Sequence, residues 1–181
     1  MNVPNTIDPV ESVKEAFSDA FLDVVNFRDE TTIVVESGKL PEVLLYLRNT
    51  AGLLYNFLSD ISVVDYYEPV GNHKRPGRFG VCYHIYSMIH NRRLRVKVYL
   101  DGDEPTIATI TDIWPAANWL ERETYDLMGI TFAGHPNLSR IMMPADWVGH
   151  PQRRDYPLGE ETVQFSFNAD EIMKYKPFAK E

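Results

Sequence analysis

The 181-residue sequence contains a single cysteine, Cys82. One thiol excludes a disulfide within the chain and a cysteine-ligated iron–sulfur cluster, which needs several. Cys82 falls in an alternating strand pattern and reads as a buried, inert thiol in a reducing compartment. No apolar run approaches the roughly 20 residues that cross a bilayer. The N-terminal region, with Asp8, Glu11 and Glu15, lacks the basic-then-apolar order of a signal peptide. There is no Gly-x-Gly-x-x-Gly fingerprint and no P-loop, so neither motif supports a nucleotide site. A net charge of −8 argues against general nucleic-acid binding.

Acids are also missing from one region. Residues 1–68 hold twelve acids against four Lys/Arg, whereas 69–100 hold none beside Lys74, Arg75, Arg78, Arg92, Arg93, Arg95 and Lys97. Two readings follow. Either a solvated hairpin pairs its cations with the acidic N-terminal part, or a basic edge docks an acidic surface.

The pattern of what is present is α+β. Asp8 and Pro9 open a helix with Val10, Val13, Ala16, Phe17 and Ala20 on one face. Strands follow at Leu22–Arg28 and Thr31–Glu36, joined at Asp29-Glu30. A second helix runs from Pro41 to about Asn49, closed by Gly52. Leu53–Tyr67 reads as a long strand region with apolar residues too dense for one exposed face. Phe79–His90 and Leu94–Leu100 alternate strictly around a turn at His90-Asn91-Arg92. Thr106–Asp112 suits a short strand, and Pro115 starts a third helix ending at Gly129. The order predicts a largely antiparallel sheet with helices on one face. The chain divides into an α+β domain (1–129), an ordered docking loop rich in Pro and Gly (130–158) and an extended C-terminal tail (159–181).

The chain is organised around Glu121 to Leu158. After a helical start, this stretch loses regular period for some thirty residues. A loop of that length is functional or disordered. Phe132, Ile141, Met142, Trp147, Tyr156 and Leu158 argue for burial against the domain or a partner. Pro136, Pro144, Pro151 and Pro157 stiffen an extended path, which lowers the entropy lost on docking. Arg140, Arg153 and Arg154 offer planar donors suited to a partner's carboxylates.

Here the sequence resembles the NuoC-type hydrophilic subunit of respiratory complex I, the proton-pumping NADH:quinone oxidoreductase. The matching residues are Glu121-Arg122-Glu123, Asp126, Leu127-Met128, Gly129-Ile130 and Gly134-His135-Pro136, then Arg140. The second half matches at Asp146-Trp147, Gly149-His150-Pro151 and Arg153-Arg154-Asp155-Tyr156-Pro157-Leu158. It departs from the family at Ser139 (usually basic), Val148 (usually Glu) and Gln152 (usually Leu). The resemblance implies a subunit without catalytic residues, cofactor or metal of its own. It implies a place in the peripheral arm on the cytoplasmic side of a bacterial membrane. Its neighbours would be the large quinone-site subunit and subunits carrying iron–sulfur clusters, with FMN and quinone also bound elsewhere. The loop and tail would wrap the large subunit.

The residues also admit other chemistry. His135 and His150 form a tempting metal pair, but both precede proline and lack the three or four ligands zinc takes. Glu123 and Asp126, three apart, share a helix face as an acid/base pair would, and Arg122 and Asp126, four apart, are placed to pair. No nucleophile stands beside them, so an ion-pair network anchoring the helix is the simpler reading. The tail alternates apolar and polar residues through Phe167 and ends among Lys174, Lys176 and Lys180, which suits strand addition to another subunit. Two other functions remain open. One is the equivalent subunit of a membrane-bound hydrogenase or ferredoxin-fed dehydrogenase; the other is a free-standing binding module with a basic hairpin.

Overall fold

The computed structural model describes residues 6–68 and 75–157. The expectations for the tail, for Lys74 and for Leu158 lie outside them. The elements are α1 (Pro9–Ala16), β1 (Phe21–Phe27), β2 (Glu30–Val35), α2 (Leu40–Asn49), β3 (Phe57–Asp65), β4 (Phe79–Ser87), β5 (Arg92–Leu100), β6 (Thr106–Ala108), α3 (Ala117–Met128) and β7 (Thr131–Ala133).

Local chemistry accounts for the boundaries. The Asp8 carboxylate accepts from the amides of Val10 (2.7 Å) and Glu11 (3.4 Å), and Pro9 fills a first-turn position whose N–H would be orphaned. Ser12 and Tyr46 share a 2.8 Å hydroxyl bond that ties α1 to α2. The β1–β2 turn uses Arg28 and Asp29, both at positive φ, one residue earlier than the sequence suggests. Such a primed turn matches the right-handed twist of its strands.

Five strands form one sheet in the order β1-β2-β5-β4-β3. Three of its four pairings are antiparallel and β2 runs parallel to β5, so the sheet is largely antiparallel, as its patterning predicts. A separate ribbon pairs β6 with β7 in parallel. Alternation decides which face is buried. Phe79, Val81, Tyr83 and Ile85 of β4 and Leu94, Val96, Val98 and Leu100 of β5 enter one core with Val13 of α1, four residues of α2, and Leu127 and Met128 of α3. All three helices therefore cover the same face.

The long strand expected over Leu53–Tyr67 is shorter. Leu54 adopts φ 45°, and the Leu53 and Leu54 amides donate back to Thr50, so regular pairing starts only at Phe57. Leu53 and Tyr55 are still buried, because the connection from α2 is pressed into the core. The apolar density there marks a buried turn. Nor is the basic hairpin an edge: β4 and β5 are interior strands. Arg95 pairs with Glu30, and Arg92 donates to the Ile7 carbonyl, so part of its charge is met by the N-terminal region.

Candidate functional site

Asp126 lies near the end of α3 and is fully buried. One carboxylate oxygen accepts from three successive loop amides: Ile141 (2.9 Å), Met142 (2.7 Å) and Met143 (2.8 Å). The other accepts from the Arg140 guanidinium at 2.6 Å. Burial alone would raise the Asp126 pKa. The amides of Met143 and Met142, Arg140 and the Ile141 amide outweigh burial and hold it below the usual carboxylate value. The carboxylate is thus the fixed point around which residues 140–143 turn.

The end of α3 presents carbonyls with no partner inside the helix. The loop supplies donors to four of them. Arg140 and His150 donate to the Asp126 carbonyl at 3.2 and 3.0 Å, and the Gln152 amide donates to Leu127 at 3.0 Å. Arg153 donates to Met128 (2.8 Å) and to Gly129 (3.2 Å). Cations and donors at a helix C-terminus also meet the negative end of its dipole. Gly129 has φ 72°, and a Cβ there would collide with the Arg153 guanidinium and stand 2.5 Å from the His150 ring. Glycine is required on both counts. Burial, with the charges of Arg153 and Arg140, depresses the His150 pKa despite its bond to the Asp126 carbonyl.

Glu121, one turn earlier, is also fully buried, but its partners are uncharged. It accepts from the Thr109 hydroxyl at 2.5 Å and the Ile110 amide at 2.8 Å. The His135 ring is 3.9 Å away. Its Nδ1 accepts from the Asn137 amide (3.1 Å), so Nε2 carries the proton and faces the Asn118 carbonyl (3.2 Å). Burial pushes the Glu121 pKa up, against the two hydrogen bonds.

A fourth anchor closes the stretch. Arg78, buried before β4, forms a two-pronged pair with Asp65 at 3.1 and 3.0 Å and donates to Asp155 at 2.7 Å. Asp65 also accepts from the Arg154 and Tyr67 amides. Asp65 and Asp155 hold Arg78 charged against the effect of its burial. Neither Asp65 nor Arg78 stands out among the sequence candidates. A signal existed: Ile61, Val63 and Asp65 occupy successive inward positions of β3, and an inward carboxylate needs a cation.

Two sequence expectations are corrected. Arg122 does not pair with Asp126; it donates to the Ser139 carbonyl and hydroxyl at 3.1 and 2.9 Å, because the loop brings Ser139 to it and Arg140 to Asp126. Glu123 and Asp126 do not share an environment: Glu123 is exposed and Asp126 is sealed by the loop. Arg153 turns inward to the helix end, while the Arg154 side chain is exposed. Asp146, Gly149 and Pro136 are exposed, and Trp147, Pro151, Tyr156 and Pro157 are half-buried. Gly149 has φ 79° under the Tyr156 ring, whose hydroxyl donates to Val148 at 3.3 Å. His135 and His150 serve different anchors. Among the described residues no group of three or more His, Cys, Asp or Glu is arranged to hold a metal ion.

The arrangement makes a rigid, irregular surface. Asp126, Arg140, Arg153 and Asp155 are engaged internally, Glu123, Asp146 and Arg154 are exposed, and Trp119 (63% exposed), Met142 (56%) and Val148 (78%) face outward. No described helix is long and apolar enough to cross a membrane.

Known proteins are similar to this chain in sequence and in fold. A family model described as "Respiratory-chain NADH dehydrogenase, 30 Kd subunit" matches residues 33–162. The C-type subunit of NADH-quinone oxidoreductase from Roseiflexus sp. (strain RS-1) is 44% identical over 172 residues, covering 95% of each chain. Its counterpart from Geotalea uraniireducens (strain Rf4) is 47% identical over 149 residues, 82% of this chain and 86% of that one. The solved structure of the trypsin-resistant fragment (1-134) of Nqo5, in its P63 form, superposes with a TM-score of 0.61 at 33% identity. It covers 72% of this chain and 100% of the fragment. The chain belongs to the 30 Kd subunit family of respiratory-chain NADH dehydrogenase and is a subunit of the hydrophilic arm of complex I.

Proposed function

We propose that the chain is a non-catalytic assembly subunit that holds no redox cofactor and positions its neighbours during electron transfer from NADH to quinone. The observation that carries this reading is the use of the signature charges. Asp126, Arg140, Arg153 and Asp155 are bonded to the chain's own backbone or to each other's anchors, while Trp119, Met142 and Val148 are exposed. Exposed aromatic and apolar groups on a pre-ordered frame are what a docking surface needs. A catalytic site would instead need titratable groups open to a substrate. The donor set agrees, since one cysteine does not fit the thiolates of an iron–sulfur cluster.

The partners in this reading are the large quinone-site subunit and its cluster-bearing neighbours. The signature surface and residues 158–181 contact the large subunit, on the cytoplasmic side of the membrane. This reading keeps a folded domain, a docking stretch and a tail; likeness of 72% of this chain to a trypsin-resistant fragment of Nqo5 favours a compact domain as the first of these. The test is incorporation. Trp119→Asp with Val148→Asp should leave the chain folded and reduce its fraction in the assembled complex on a native gel. Full incorporation with lost turnover would make the loop part of the quinone chemistry and end the purely structural reading.

A further inference from the structure

The sheet has a second face, turned away from the three helices. Cross-strand register places Phe57–Tyr86–Arg93 in one row, Asp60–His84–Arg95–Thr32–Val25 in the next, then Ser62–Cys82–Lys97–Val34, then Val64–Gly80–Tyr99. Arg93, Arg95 and Lys97 therefore form a cationic strip along the interior strand β5, at intervals of about 6.6 Å. The neighbouring strand β4 adds no acid to this face. Lys97 donates to the Tyr66 hydroxyl at 2.7 Å, and the Arg75 guanidinium lies 4.3 Å from the centre of the Tyr66 ring. Gly80 makes room for this stack: a Cβ there would stand 2.7 Å from the Lys97 side chain and 2.9 Å from the Tyr66 ring.

Among the described residues the acids near this face stand at its margins, and Glu68 lies close enough to Arg75 to stabilise its charge. Glu30 pairs with Arg95, and Asp60 lies beside His84. Arg75, Arg93 and Lys97 form no salt bridge among the described residues. Exposed apolar side chains frame the strip: Phe27 (65% exposed), Phe57, Val25 and Val64. At one end Phe57, Tyr86, Arg28 and Arg93 line an open recess of about 860 Å³, with Asp29, Glu30 and Asp60 also on its wall, so the excess of cations lies along β5 and not in the recess itself. Arginine and aromatic residues ringed by apolar groups are the composition of an interface centre. The chain as a whole carries −8, so an acidic partner meets repulsion over much of the molecule and attraction along β5.

Thr32, Val34 and Cys82 at the centre of the face are buried, so a ligand would meet the long side chains above them. We propose that this face is a second docking surface, and that it takes an extended acidic segment of a neighbouring subunit laid over the cations of β5. The proposal rests on the assembly role above but uses none of the signature residues. The test uses the full chain in the assembled complex. Arg75→Glu with Arg93→Glu should lower the incorporated fraction about tenfold, as expected when a matched charge contact becomes a repulsion. If the double reversal also lowers the chain's own melting temperature, Arg75→Gln with Arg93→Gln serves in its place.

A photo-cross-linker at Phe57 should capture an Asp/Glu-rich segment of another subunit. Unchanged incorporation would overturn the proposal. So would cross-links confined to this chain, to a second copy of it, or to a basic segment. If the Trp119/Val148 pair loses incorporation while the arginine variants keep it, this inference fails and the assembly reading stands. If neither pair affects incorporation, the assembly reading itself fails.

Discussion

The sheet and the signature stretch solve the same problem by opposite means. In the sheet, backbone groups satisfy one another, and the side chains of β4 and β5 only have to be apolar and of suitable size. In residues 130–157 the backbone has little regular pairing, so named side chains must satisfy it: Asp126 for three amides, and Arg140, His150 and Arg153 for the end of α3. The first arrangement tolerates exchange among similar residues. The second depends on particular atoms. An irregular surface can therefore be as fixed as a sheet, but each of its fixings is a single point of failure.

Substitutions measure that difference. The largest effect is expected for Asp126→Ala, which leaves three amides and Arg140 without their acceptor. It should destabilise the full chain by about 3–5 kcal/mol in a urea melt. A loss no larger than that of a core exchange such as Leu94→Met, under about 1.5 kcal/mol, would erase the contrast. Gly129→Ala comes next. A left-handed φ and a collision with Arg153 together should cost about 2–3 kcal/mol, with loss of helix-end protection in hydrogen exchange.

The adjacent arginines sharpen the comparison further. Arg153→Ala removes two charge-assisted bonds to helix carbonyls and should cost about 1.5–3 kcal/mol. Arg154→Ala should change the melt by no more than about 0.5 kcal/mol, so any effect of it should appear in assembly alone. Equal effects of the two on melting would refute the inward placement of Arg153.

The smallest effect is a pH dependence. The His150 pKa lies below its ordinary 6.5 in the folded chain. The unfolded chain therefore binds the proton first as pH falls, and stability declines from about pH 6.5 downward until the folded-state pKa is passed. His84 shifts the same way. His150→Asn keeps a donor for the Asp126 carbonyl and should flatten, without abolishing, the slope of the melting midpoint below pH 6.5. Asp126 and Asp65, depressed below 3.8, lose their contribution only at more acidic pH. Glu121 is opposite in sign: its raised pKa makes stability fall as pH rises from 4.5 through the folded value.

Much of the fold was legible because strict alternation leaves few choices. Phe79–Ser87 and Arg92–Leu100 differ from their sequence reading only at the ends. Asp8-Pro9 marked α1 through hydrogen bonds that the structure contains. The parallel β2–β5 pairing was not legible, because periodicity shows which face a strand buries and not which neighbour it takes. The importance of 121–158 was visible as apolar residues and prolines without a period. Its wiring was not. Arg122 and Asp126 have helical spacing for a pair, and only the folded loop shows that Ser139 and Arg140 claim them instead.

The Arg78 anchor bears on the part of the chain that follows it. Asp155 is held to the domain only a few residues before the tail begins. If residues 158–181 bind a neighbour as proposed, that contact and those of the proposed docking surfaces would act as a bivalent pair. Effective concentration falls roughly as the −3/2 power of tether length. Arg78, with Arg153 two residues before Asp155, therefore fixes the point from which the rest of the chain continues.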